Sequence, residues 1–196
     1  MKKIPTLYER VFVNHKVAEV LDKITPGCEL AFYQGTATVE VDGACCAVIN
    51  GEFYKRYDAK KGKKPPEGAI PCSDPDPVTG HWPHWVKVSK NEPGDRWFIE
   101  AAKNYALAAD LDAIPCGTYE AVGPHFNANP YDLGIDILVK HGGEVVEVGR
   151  NFESIKNWLE THNEEGLVFW LDGEPVCKIK RKDFGLKWPA KIVKGE

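Results

Sequence analysis

The sequence predicts an α+β fold, and three features predict it. Two turn dipeptides, Asn50-Gly51 and Asp172-Gly173, each join a pair of strand-like runs, the strongest short-range mark of an antiparallel hairpin. Three stretches carry helical spacing or helix-capping residues, and residues 62–84, rich in Gly, Pro and Asp and without periodicity, form a long loop. The expected architecture is antiparallel sheet flanked by helices, in a single domain over residues 1–196.

Taken in order, Val17, Val20, Leu21 and Ile24 follow helical spacing and stop before Thr25-Pro26-Gly27, so a short helix is predicted there. Thr36–Val41 and Ala44–Ile49 are strand-like, and Asn50-Gly51 turns the second of them into Glu52–Tyr57. A second helix is predicted from about Asp95 through Ala109, where alanines and aromatics give high propensity. A third begins at Asn151 as N-cap and runs through Trp158 and Leu159. The closing hairpin is Gly166–Leu171 with Glu174–Arg181.

The chain has 196 residues, 43% of them hydrophobic, enough for one sizeable core. No stretch approaches the roughly 20 apolar residues that cross a bilayer, and the N-terminus lacks the apolar segment of a secretory signal. No membrane association is expected, and a cytoplasmic, reducing location is. The six cysteines include no CxxC pair, which argues against a zinc ribbon and a secreted disulfide framework. Cys45 and Cys46 would point to opposite faces of a strand.

The formal charge of −4 is uneven: residues 55–64 carry net +5 and residues 178–194 net +6. An anionic partner would therefore be held locally. Asp-Gly after a strand, as in Val39-Glu40-Val41-Asp42-Gly43, is ordinarily only a turn. Lys178 and Lys180 share one face of a strand, which is also how edge strands resist aggregation. His81-Trp82-Pro83-His84 lacks the further ligands a zinc site needs. Trp82, Trp85 and Trp97 are expected as core or loop anchors rather than base-stacking platforms.

The order of these segments says more than any one of them. Acidic-x-Asp-Gly is followed by Lys55-Arg56, Gly117-Thr118-Tyr119-Glu120, Glu165-Gly166-Leu167-Val168-Phe169 and Lys178-Ile179-Lys180. This succession resembles the covalent nucleotidyltransferases, the ligases and capping enzymes defined by a Lys-x-Asp-Gly nucleophile motif. Tyr119 to Pro124, Asn129-Pro130 and Asp183 to Pro189 are similar to segments of small stand-alone 5′-to-3′ RNA ligases. The resemblance runs from about Thr36 to Pro189.

It implies an ATP-grasp-like ligase adenylation domain, ATP bound as AMP, Mg2+ or Mn2+ as metal, and RNA carrying 5′-phosphate and 3′-hydroxyl ends as partner. With the chain ending soon after Lys180, no OB-fold domain is expected. The resemblance sets Glu40 at the position of the nucleophilic lysine, with Val41, Asp42 and Gly43 completing the nucleotide-binding motif. Arg56 would contact the ribose or the RNA terminal phosphate, Glu120 the ribose hydroxyls, and Phe126, ahead of His125, would stack on adenine. Glu165 would hold the metal, Lys178 and Lys180 would approach the α-phosphate, and Lys55, Arg181 and Lys182 would contact RNA.

Position 40 departs from the motif. A carboxylate cannot form the lysyl phosphoramidate, and its charge would repel a triphosphate. Self-adenylylation is therefore expected to be absent. Two accounts of Glu40 stand, an introduced inactivating change and a natural non-catalytic ligase relative that binds nucleotide or RNA. The intactness of the other motif residues favours the first.

Overall fold

Strand pairing around the two predicted turns organises the computed structural model, which describes residues 3–14, 16–77 and 79–189. In chain order the elements are β1 (Tyr8–Val13), β2 (Lys16–Ile24), α1 (Glu29–Gln34), β3 (Thr36–Glu40), β4 (Ala44–Ile49), β5 (Glu52–Ala59), β6 (Ile70–Pro71), β7 (Trp82–Lys87), α2 (Arg96–Ala108), β8 (Gly117–Val122), β9 (Ile137–Lys140), α3 (Phe152–Thr161), β10 (Gly166–Leu171) and β11 (Glu174–Lys180). The α+β class with antiparallel sheets and few helices is as expected: every pairing between these strands is antiparallel. No described helix is long and apolar enough to cross a membrane.

Two compact units divide the chain. One is formed by residues 42–141 with Lys3 and holds the six-stranded sheet β6-β7-β5-β4-β8-β9. Helix α2 covers one face of that sheet. Ala101, Trp97, Phe98 and Tyr105 pack there on Cys46, Val48, Tyr119, Ala121 and Leu138. Asn50 and Gly51 have φ of 52° and 78°, the left-handed pair that a two-residue turn of matching twist requires.

The other unit is formed by residues 4–41 and 142–189, with a three-stranded sheet β11-β10-β3 and the ribbon β1-β2. Its core gathers Leu7, Tyr8, Phe32, Ile155, Leu159, Leu167, Phe169 and Ile179. Asp172-Gly173 makes the hairpin turn with φ of 50° and 81°. The Asn151 side chain accepts the Ser154 N–H at 2.9 Å, so the predicted cap of α3 is present.

The predicted helix at Val17–Ile24 is instead strand β2, paired with β1. Two irregularities in the register leave extra residues on the β2 side, between the pairs Tyr8↔Ile24 and Arg10↔Val20 and again near Val11↔Glu19 and Phe12↔Val17. Bulges break the period of two. Val17, Val20 and Ile24 all reach the core although they are spaced by three and four residues, so a bulged strand reproduces the apolar spacing of a helix.

Candidate active site

In the second unit, β10 lies between β3 and β11, and its first residue, Gly166, pairs with Glu40 on one side and Lys180 on the other. No side chain stands between them, and a ladder of alternating charge forms. Lys178 Nζ donates to Glu40 Oε1 at 2.7 Å, Lys180 Nζ lies 2.9 Å from the same oxygen, and Lys180 Nζ donates to Glu165 Oε1 at 2.6 Å. The Glu40, Lys180 and Glu165 side chains are largely buried, with 13%, 16% and 9% exposure.

Burial alone would raise the Glu40 carboxyl, but the charges and hydrogen bonds of Lys178 and Lys180 outweigh it and hold the group below its ordinary value. Burial works to lower the Lys180 ammonium, and Glu40 and Glu165 reverse that and raise it. Glu40 and Lys180 are therefore both charged at neutral pH. The ladder's paired ammonium groups suit an anionic oxygen, and Glu40 supplies one from within the chain.

The glycine is a structural requirement. A β carbon on Gly166 would lie 2.2 Å from the Ile179 carbonyl oxygen, closer than any real contact, and the neighbour is backbone that has no rotamer to change. The Gly166→Ala protein is expected to lose roughly 1–3 kcal/mol of stability or more, read as a lowered urea midpoint. An unchanged midpoint would refute the close strand approach described here.

The first unit holds the rest of the motif. The Asp42 N–H donates to the Tyr131 hydroxyl at 2.7 Å, and Asn127 Nδ2 donates to Asp42 Oδ1 at 2.8 Å and to the Gly43 carbonyl at 2.7 Å. A β carbon on Gly43 would lie 2.5 Å from the Ala121 carbonyl oxygen, so the motif glycine is also needed for close approach. Asn127 and Tyr131 were not foreseen from the sequence. Their neighbourhood, Asn129-Pro130, was the available signal.

Glu120 lies on β8 opposite Cys45 of β4, and its Oε1 is 3.0 Å from Nε2 of His141. Cys45 and Glu120 face away from the α2-covered side, to which Cys46 and Tyr119 belong. Arg56 forms an ion pair with Asp58 at 2.8 Å. Val41 is half-buried against the core of the second unit, and Lys182 is exposed. Residues 190–194 of the C-terminal basic segment lie outside the described residues.

Three of the expected residues have partners within the chain. Phe126 is buried in the core with its ring edge-on to that of Phe98 at 5.0 Å. The more open ring is His125, stacked on Trp97 at 3.3 Å and tied through Nδ1 to Asp136 at 2.6 Å. Lys55 is paired with the buried Asp95, which also accepts the Ser89 N–H at 2.9 Å, so it anchors a loop. Arg181 is buried and donates through Nε to the Lys187 carbonyl and through Nη1 to the carbonyls of Leu159 and His162, which fastens the turn after β11 to the end of α3. Of the tryptophans, Trp82 is a loop anchor, donating to the Ser73 carbonyl at 2.7 Å, and Trp85 is buried, as expected.

A family model described as RNA ligase 1 matches residues 68–194. The chain is 28% identical to RNA ligase 1 of Rattus norvegicus, with 80% of this chain and 69% of that protein covered, and equally similar to RNA ligase 1 of Mus musculus over the same shares. To RNA ligase 1 of Danio rerio it is 30% identical, with 57% and 43% covered. The matched segment includes Glu120, Glu165, Lys178 and Lys180 but begins beyond Glu40. With well over half of its length matched, the chain belongs to the RNA ligase 1 family.

Proposed function

We propose that this chain has the scaffold of an ATP-dependent RNA ligase acting on RNA 5′-phosphate and 3′-hydroxyl ends, in a single nucleotidyltransferase domain, and that Glu40 removes its capacity to load AMP. The observation that carries the reading is the charge ladder. Two lysines meet at the side chain of residue 40, where the resemblance sets the nucleophile, and paired ammonium groups suit the negative charge that accumulates during attack on an α-phosphate. By the same resemblance Glu120 accepts hydrogen bonds from ribose hydroxyls and Arg56 contacts ribose or a terminal phosphate. Glu165 offers the hard carboxylate oxygen that magnesium prefers, which fits it for the metal. The metal would supply neutralisation of phosphate charge. Six free thiols suit a cytoplasmic, reducing setting.

The same ladder supports a second reading, a natural non-catalytic binder of nucleotide or RNA, because Glu40 occupies both lysines with a built-in carboxylate. The two readings differ in the sealing step. There a 3′-hydroxyl oxygen attacks the phosphorus of a 5′-adenylylated end, the anhydride P–O bond breaks, AMP leaves and the hydroxyl proton passes to solvent. The residue 40 side chain forms no bond in that step. With pre-adenylylated RNA, a 3′-hydroxyl RNA and magnesium, the chain is expected to give slow joining with release of AMP. Joining by the Glu40→Lys protein alone would favour the binder, and joining by neither would overturn the ligase reading.

A further inference from the structure

We propose that Cys45, Glu120 and His141 form a binding site for a thiophilic divalent cation of the zinc class. The three belong to one unit and to one patch of sheet. Cys45 and Glu120 are register partners on β4 and β8, and His141 follows β9 with its N–H on the Thr118 carbonyl at 3.1 Å. One donor atom from each, the thiol sulfur, a carboxylate oxygen and a ring nitrogen, lies within 4.8 Å of the other two, and all three residues are half-buried. Tetrahedral zinc with bonds of about 2.0–2.3 Å sets its donors roughly 3.3–3.8 Å apart, so side-chain adjustment of about an ångström closes the site.

A second feature points to a ligand. Glu120 Oε2 and His141 Nδ1 are buried without a hydrogen-bond partner among the described residues. A buried carboxylate oxygen left in that state is costly, and a cation would satisfy it. Charge matches as well: a thiolate, a carboxylate and a neutral imidazole balance a divalent ion. The Cys45 thiol offers little to magnesium, which prefers oxygen donors, and its sulfur becomes a ligand once its proton leaves. A thiophilic ion displaces that proton to solvent and takes the sulfur. Three protein ligands leave one coordination position open.

The consequence rests on the function proposed above. Glu120 is the expected ribose carboxylate, and it cannot serve a bound metal and a nucleotide at once. Metal and ATP are therefore antagonists on this chain.

Cobalt(II) titration of the full chain tests the site through the absorbance of a thiolate-to-metal charge-transfer band. One equivalent is expected, with the band kept in Cys116→Ser, lost in Cys45→Ser, and the affinity lowered at least tenfold in His141→Gln. On the unmodified, zinc-loaded chain, X-ray absorption is expected to show one sulfur and a remainder of nitrogen and oxygen neighbours, a readout that needs no variant to fold. A band that survives Cys45→Ser, or a zinc environment without sulfur, overturns the site. ATP binding is then measured with and without zinc. ATP binding by a chain that takes up no zinc refutes the metal site and leaves the ligase reading intact. Zinc binding that leaves ATP affinity unchanged refutes the ribose role of Glu120 and the antagonism, and leaves the metal site standing.

Discussion

In the Glu40→Lys protein, incubation with ATP and magnesium is expected to add one AMP per chain, where the chain carrying Glu40 adds none. The change reverses the electrostatics of the ladder. Glu40 now neutralises Lys178 and Lys180 at 2.7 and 2.9 Å, and a lysine there would become a third amine with Glu165 as the nearby carboxylate. Like charges at that distance lower an amine's pKa from its usual ~10.4, which raises the fraction present as the free base that attacks phosphorus. The N–P bond forms as the P–O bond to the β-phosphate breaks, pyrophosphate leaves and the amine proton goes to solvent. Crowding three amines also costs stability, so the Glu40→Lys protein is expected to melt below the parent without nucleotide and to recover when ATP is present. An unchanged melting temperature would show that residue 40 does not share a site with the two lysines.

Lys180→Met is expected to be the most destabilising replacement in the ladder. Lys180 touches both Glu40 and Glu165, and methionine keeps most of the volume while removing the charge between two carboxylates. Losing one partner of a buried pair costs roughly 3–5 kcal/mol. The groups here keep some exposure and Glu40 keeps Lys178, so about 2–3 kcal/mol is expected at neutral pH, or a fall in Tm of roughly 4–12 °C. Adding Glu40→Gln should return part of the loss, because one of the two repelling carboxylates is then neutral. Additive costs in that double-variant cycle would contradict the coupling.

The pH dependence has a definite sign. The folded pKa of Glu40 is depressed, so its contribution is present above the ordinary 4.5 and disappears as pH falls through the lower folded value. The folded pKa of Lys180 is raised, so its contribution is complete below 10.5 and disappears as pH rises through the higher folded value. The stability gap between the parent and Lys180→Met is therefore expected to be widest between those limits and to narrow in acid.

Local chemistry made much of this fold legible. Asn50-Gly51, Asp172-Gly173 and the Asn151 cap depend on residues adjacent in the chain, and each element they predict is present. The β1-β2 ribbon was hidden because its bulges give Val17, Val20 and Ile24 a helical spacing. At the site, the order of motif segments located Glu40, Glu165, Lys178 and Lys180, and the registers through Gly166 bring those four together. What was not legible is the set of partners far along the chain. Lys55 is held by Asp95, Arg181 by carbonyls of Leu159 and His162, and Phe126 by Phe98 of α2, and none of these contacts has a local sequence signature. The pairing of His141 with Glu120 was invisible for the same reason.

The measurement that bears most directly on the account is intact-mass and peptide-mapping analysis of Glu40→Lys and Glu40→Lys/Lys180→Met after incubation with ATP and magnesium. A single AMP on residue 40 of the first protein, formed roughly a hundredfold or more slowly in the second, is the expected result. No adduct on the first protein, or an adduct on a different residue, would contradict the placement of residue 40 at the centre of a nucleotidyl-transfer site.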